Sequence, residues 1–322
     1  PQIGRWFAGL LSCSPIQTDR RYPVDPKDQY SELSALLPEQ RSTRRSALRL
    51  ALGAGYAAAT LPIMAQTAVQ TPSDGLDAGE TVCDVEGFLV PLYYAAPMGK
   101  KNLPVVLVVH EVFGVLAYIA DICRRLAKAG YLAVAPDLFA RQRDARQFAQ
   151  ISNLMRDLVA KVPDAQVMGD LDAVLRWAGE NSGNPKKAGI TGFCWGGRIA
   201  WLYAEHSAQM RAAVAWYGRL VGTATELTPR QPLDLASQLK APVLGLYGGQ
   251  DGGIPLTTVN QMKDALAEAG AKGNAAARAS EFVVFKDAPH AFHADYRPSY
   301  RKEAAAEGFQ RALEWFKAKG VA

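Results

Sequence analysis

Three side chains suited to acyl transfer occur along the chain in the order Cys194, Asp251, His290. A thiol attacks only as its thiolate. A histidine can take its proton near neutral pH. A carboxylate bonded to that histidine holds the working tautomer and stabilises the charged ring. Cys194 lies in Gly192-Phe193-Cys194-Trp195-Gly196-Gly197, between a short apolar run, Ala188–Thr191, that reads as a buried strand, and Arg198–Ala204, which reads as a helix. Strand, glycine-flanked turn and helix make a nucleophile elbow, with cysteine where serine is more familiar. Side chains two positions either side of the nucleophile would collide with neighbouring backbone, hence the glycines. The helix start also aims free N–H groups and its positive dipole end at the sulfur, which lowers a thiol pKa and stabilises an oxyanion. Alone, such a cysteine reads as a buried core residue in a turn; the partners downstream give it a task.

Asp251 follows the strand Val243–Tyr247 within Gly248-Gly249-Gln250-Asp251-Gly252-Gly253, and His290 follows the strand Phe282–Phe285 within Asp287-Ala288-Pro289-His290. Nucleophile, acid, histidine is the chain order of the α/β-hydrolase triad. A turn aspartate among glycines is the plain alternative for Asp251, and Asp287 is the rival acid, badly placed on the histidine's own loop. Glu111, in His110-Glu111-Val112-Phe113-Gly114, comes directly after the run Val105–Val109. A glutamate there is costly unless it has a partner or a task. Its loop is expected to supply one oxyanion N–H, from Val112, and Trp195 the other.

The elements that position these residues follow from pattern. Val105–Val109 is a continuous apolar, valine-rich run, the mark of a strand buried on both faces. Leu132–Ala135 and Ala212–Trp216 read as further buried strands. Phe88–Ala95 is expected to pair with Thr81–Val85 as an antiparallel edge. Helices are expected over Ile119–Ala129, Asp144–Val162, Asp164–Glu180, Leu256–Ala269 and Ser299–Lys319. Alternating strands and helices predict an α/β fold, a mainly parallel sheet with helices on both faces. Functional side chains then belong at the carboxyl ends of the strands.

The 322 residues are 49% hydrophobic, enough for one large α/β domain plus an extension. The net charge is +5, and residues 1–65 carry +3 of it, eight Lys/Arg against five Asp/Glu. No basic stripe with interleaved aromatics occurs, which excludes nucleic acid as a partner. Cys13, Cys83, Cys123 and Cys194 show no C-x-x-C spacing, and His110, His206, His290 and His293 form no H-E-x-x-H. Neither a metal nor an organic cofactor is expected. Residues 1–40 read as a leader. Residues 41–68, with Arg44-Arg45 before the apolar run Leu50–Ala65, resemble a twin-arginine export signal cut near Ala65 or Ala68. The expectation is an exported, periplasmic protein that meets the twin-arginine machinery, with a cytoplasmic one as the alternative. A polar linker over 69–79 and a catalytic domain over 80–322 follow, as a monomer or small homo-oligomer.

The segments His110–Gly114, Ala135-Pro136-Asp137-Leu138-Phe139-Ala140-Arg141, Gly192–Gly197, Tyr247–Asp251 and Pro289-His290-Ala291-Phe292 together resemble the dienelactone hydrolase (carboxymethylenebutenolidase) family of the α/β-hydrolase fold. The resemblance spans roughly residues 80–320. It implies a Cys194–His290–Asp251 triad acting on a small-molecule lactone or ester, Glu111 bonded to the resting thiol, and Arg141 on the substrate carboxylate. The family's second arginine, four positions after the histidine, is Ala294 here, and Arg297 is the candidate to replace it. Two alternatives use the same fold: a broad-specificity carboxylesterase or thioesterase, and a non-catalytic exported binding protein.

Overall fold

The computed structural model describes residues 68–322. The 1–40 leader and, except for Ala68, the 41–68 signal segment lie outside the described residues. Eight strands form one sheet: β1 (Leu76–Val85), β2 (Phe88–Pro97), β3 (Leu103–Val109), β4 (Leu132–Pro136), β5 (Gly183–Phe193), β6 (Met210–Trp216), β7 (Val243–Gly248) and β8 (Glu281–Phe285). Their order is β1-β2-β4-β3-β5-β6-β7-β8. β1–β2 and β2–β4 pair antiparallel, and the remaining pairs are parallel. The longer helices are α1 (Ala117–Lys128), α2 (Ile151–Asp157), α3 (Asp164–Glu180), α4 (Trp195–His206), α5 (Leu256–Ala271) and α6 (Lys302–Ala318). A mainly parallel sheet covered by helices is the α/β architecture expected from the alternating pattern.

The core lies where the apolar runs put it. Val105 to Val109 of β3 are wholly buried between β4 and β5, as a strand covered on both faces requires. In α3 the stripe Val167, Leu171, Val174, Leu175 and Ala178 is buried. In α4 every residue from Gly196 to Ala204 is buried, because this helix runs back against β5 and β6.

Two boundaries need correction. β1 begins at Leu76, inside the stretch expected as linker, because it pairs with β2 over its full length, from Leu76 opposite Pro97 to Val85 opposite Phe88. Even Thr71 is held: its N–H donates to Asp121 Oδ1 at 2.6 Å and its carbonyl accepts from Arg124 Nε at 2.9 Å. The single helix expected over Asp144–Val162 is a 3-10 turn (Ala145–Gln147), α2, and a second 3-10 turn (Val159–Lys161). Asp144 caps the first turn by accepting from Arg146 N, a local bond that competes with continuous helix. Leu158, wholly buried, then leaves helical backbone at φ −123°, ψ −69°.

All the strand ends that matter share one rim. Glu111 follows β3, Asp137 β4, Cys194 β5, Tyr217 β6, Asp251 β7 and His290 β8. Among the described residues no helix is long and apolar enough to cross a membrane.

Candidate active site

Cys194 occupies the turn between β5 and α4 with φ +56° and ψ −114°, a region that non-glycine residues reach only under constraint. The constraint is visible. The Cys194 N–H donates to Trp216 O at 3.0 Å, and its carbonyl accepts from Gly197 N at 2.9 Å. A Cβ on Gly192 would stand 2.0 Å from Gly196 O, and one on Gly196 would stand 2.4 Å from Val109 O. Either contact is impossible without moving the strand or the helix. The glycines are thus demanded by close approach of backbone, and the turn they permit places Cys194 at the N-terminus of α4. The N–H of Trp195 lies in the first turn of that helix, which has no intrahelical acceptor for it.

His290 and Asp251 meet across the ends of β8 and β7. The His290 Nδ1–H donates to Asp251 Oδ2 at 2.7 Å, with both side chains fully buried. The other carboxylate oxygen accepts from Gly253 N at 2.9 Å and Ile254 N at 3.1 Å, so the glycine-rich turn after β7 holds the acid in one orientation. Burial opposes a charge on His290, but the Asp251 carboxylate and Cys194 outweigh it and hold its pKa well above the ordinary value. On the other side of the ring Cys194 is the partner, acting on His290 both by charge and by a side-chain hydrogen bond. Asp287 belongs to no such pair.

Glu111 is buried and its Oε2 accepts from Tyr296 Oη at 2.6 Å. Tyr296 comes from the loop after β8, as does Arg297. The Arg297 guanidinium lies 4.5 Å from the Phe113 ring and 4.9 Å from the Tyr296 ring. Burial disfavours its charge; Tyr296, Glu111 and Cys194 overcome this and raise its pKa. Its Nε–H is buried without a hydrogen-bond acceptor. The structure therefore brings Arg297 to Glu111 and Cys194, although it stands seven residues after His290 and Ala294, at position four, is buried.

Arg141 goes elsewhere. Its Nη2 donates to Asp170 Oδ1 at 2.8 Å and to Val85 O at 3.2 Å, its Nε donates to the same carboxylate, and its Cζ lies 4.5 Å from the Phe88 ring. The guanidinium fork expected to face a substrate carboxylate is here taken by an internal carboxylate on α3, itself buried.

Several residues beyond the motifs shape the site. His110 Nδ1–H donates to Glu111 O at 2.6 Å and Nε2 accepts from Leu138 N at 3.1 Å. Burial lowers its pKa, so the ring is neutral and ties the loop of Val112 to the loop after β4. It stacks on Trp195 with centroids 5.5 Å apart. His293 Nδ1 bonds Tyr118 Oη at 2.7 Å, and burial with the nearby Arg125 depresses its pKa to about 3. Arg125 Nη2 in turn donates to Asp295 Oδ2 at 2.5 Å, anchoring the loop that carries Tyr296 and Arg297. Single-sequence reasoning offers no handle on Tyr296, Tyr217 or Tyr118, because no local spacing marks a tyrosine as facing a site. His293 was visible only as a neighbour of His290. Among the described residues no group of three His, Cys, Asp or Glu could hold a metal ion.

A mainly parallel sheet with an elbow after β5, a carboxylate after β7 and a histidine after β8 defines an α/β hydrolase. The dienelactone hydrolase family model matches residues 90–320, and the chain belongs to that family. A protein of Methylorubrum extorquens named "Putative carboxymethylenebutenolidase" is 48% identical over 293 residues, 91% of this chain and 98% of that one. One of Escherichia coli K12 with the same name is 53% identical over 267 residues, 83% of this chain and 96% of that one. The crystal structure titled "Putative Dienelactone Hydrolase" from Klebsiella pneumoniae superposes with a TM-score of 0.72 at 51% identity, covering 75% of this chain and 98% of that one. The chain is thus a hydrolase of the dienelactone hydrolase type, and the non-catalytic binding alternative falls away.

Proposed function

We propose that this hydrolase opens a small lactone or ester carrying a carboxylate, through a thioester formed on Cys194. The observation that carries the reading is the buried relay itself: Asp251 bonded to His290 at 2.7 Å, with Cys194 acting on the same ring by charge and by a side-chain hydrogen bond. In the cycle, His290 takes the thiol proton and the Cys194 sulfur attacks the carbonyl carbon. The N–H groups of Val112 and Trp195 receive the oxyanion, each worth roughly 3 kcal/mol at the transition state. The C–O bond breaks and His290 returns its proton to the leaving oxygen, which in a lactone stays tethered to the acyl chain. Water then adds to the thioester, its proton passing to His290, and the carboxylic acid and thiol are released. Asp251 keeps the imidazole tautomer throughout.

Carboxylate recognition is assigned to Arg297, whose Nε–H lacks an acceptor while its charge is buried beside Glu111. An ester or thioester without a carboxylate uses the same relay but leaves that N–H unanswered, which favours the charged substrate over the broad-esterase alternative. Glu111 is assigned the control of the resting thiol. Turnover of lactones and aryl esters by the wild type and Cys194→Ala tests the cycle, together with mass detection of an acyl group on Cys194. Full activity in Cys194→Ala sinks it. Export is proposed from Arg44-Arg45 and the apolar run after them. Replacing both arginines by lysine should leave the precursor in the cytoplasm, and a wild-type protein found there uncleaved would refute export.

A further inference from the structure

Tyr217 follows β6 and has no role in the cycle above. Its side chain is wholly buried, yet its hydroxyl makes no well-formed hydrogen bond. Leaving a buried hydroxyl unpaired is unfavourable, and native proteins rarely tolerate it without a reason. The Tyr118 hydroxyl stands close enough to act on it as a weak acceptor, but its own well-formed bond is to His293 Nδ1 at 2.7 Å. The other polar groups close enough to act on Tyr217 are Glu111 and Cys194, both members of the site. Its ring meets the His290 ring edge to face, with centroids 5.1 Å apart.

The backbone is held for this placement. Tyr217 has φ +38°, a conformation a bulky residue adopts only when its surroundings impose it. The Tyr217 N–H donates to Leu246 O at 2.8 Å. The next residue, Gly218, lies so close to the elbow that a Cβ on it would stand 2.3 Å from Gly197 C, and its carbonyl accepts from Tyr247 Oη at 3.0 Å. The elbow and β7 therefore fix Tyr217 from both sides. A strained backbone and a poorly satisfied buried hydroxyl at one residue beside the reacting groups point to a ligand that completes them.

We propose that the Tyr217 hydroxyl is a catalytic hydrogen-bond donor to the leaving oxygen of the bound lactone or ester, an inference that rests on the thioester cycle proposed above. Its contact with His290 puts it on the side of Cys194 where the leaving oxygen collects its proton. As the C–O bond breaks, negative charge gathers on that oxygen. The Tyr217 O–H bonds to it and keeps its own proton, while His290 supplies the proton that ends on the product. Burial holds the phenol pKa well above its ordinary value, so Tyr217 stays a donor at every working pH. The bond is charge-assisted only while the C–O bond is breaking, so it accelerates turnover more than it tightens binding.

Tyr217→Phe removes one oxygen and keeps the ring. It should lower kcat about 10- to 100-fold for alkyl esters and unactivated lactones with KM little changed, and less than about threefold for a p-nitrophenyl ester, whose leaving group needs little help. The melting temperature should stay nearly level, because the buried hydroxyl that has gone made no well-formed bond. Alkylation of Cys194 by iodoacetamide should keep its wild-type rate. Unchanged turnover of the alkyl esters overturns the proposal. So does a fall in melting temperature in step with activity, which would make the hydroxyl structural, or a fall in alkylation, which would make it act on the thiol. An inactive Cys194→Ala with a fully active Tyr217→Phe defeats this inference alone, whereas an active Cys194→Ala defeats the cycle beneath it.

Discussion

The loops after β4 and β8 leave the same rim of the sheet, and each must account for buried or half-buried polar groups. The loop after β4 closes its accounts internally: Leu138 N with His110, Arg141 with Asp170, Arg146 with Asp144. The loop after β8 does not: His290 is completed only by the nucleophile's thiol, and Arg297 Nε has no acceptor of its own. Within that second loop the contrast repeats at shorter range. His290 and His293 are both fully buried, yet the first is held well above its ordinary pKa and the second is depressed to about 3. Burial lowers both; what separates them is a carboxylate and a thiol beside His290, against a neutral phenol and the Arg125 cation near His293. Chemistry collects where compensation is incomplete and charge is favoured, and structure where every group is answered.

The sharpest way to break this contrast is to remove each histidine. His290→Ala should lower kcat/KM by at least about 10³-fold, since general base and general acid go together. His293→Gln, which keeps an acceptor for Tyr118, should lower it by less than about tenfold. Comparable losses would mean that the loop acts as one structural unit and that the charge difference carries no function.

The two arginines give the next test. Arg297→Gln should raise KM for carboxylate-bearing lactones by about 10- to 150-fold, the worth of a charge-assisted bond of roughly 1.5–3 kcal/mol. Neutral aryl esters should respond little. Equal effects on both substrates would leave Arg297 as packing between Phe113 and Tyr296.

Much of this is legible in the sequence itself. The glycines around Cys194, the valine run of β3 and the order Cys194, Asp251, His290 are local patterns with local causes, and the sheet and the buried relay follow from them. Glu111 was legible as a costly residue, but its partner Tyr296 was not, because 185 positions separate them and only the fold brings them together. Arg141 is only partly legible for the same reason. Its place after β4 is readable, whereas Asp170, 29 residues on in α3, is an acid like any other until α3 packs beside it. The broken helix over Asp144–Val162 shows a third limit, since the helical pattern there does not reveal where a side chain will prefer to cap.

The histidine contrast also has a pH signature. A base whose folded pKa lies below its unfolded value of about 6.5 leaves stability intact above that pH and removes it as pH falls, because the unfolded chain takes up the proton first. His293, at about 3, should therefore cost the fold about 2 kcal/mol at pH 5, and His110, also lowered by burial, adds in the same direction. His290 has the opposite sign. Its contribution is complete below the unfolded value and is lost only as pH rises through its raised folded pKa. Urea unfolding between pH 7 and 4 should show a slope that flattens in His293→Gln. An unchanged slope would mean that His293 does not resist protonation as its surroundings require.

The smallest expected effect belongs to Arg141, and it asks whether the loop after β4 is as closed as its bonds imply. The guanidinium keeps 25% of its side chain in water while Asp170 keeps 3%. Removing the arginine strands a buried carboxylate, but water can reach the vacated side, so Arg141→Ala should cost about 1–2 kcal/mol of stability rather than the ~3–5 kcal/mol of a fully buried pair. Asp170→Asn should cost a similar amount, and the double variant should be less destabilised than the sum, because the two changes remove one interaction. Turnover of carboxylate-bearing and neutral substrates should shift together and by little. An additive double variant would deny the pair, and a KM rise confined to carboxylate substrates would return Arg141 to the site and make the two loops alike.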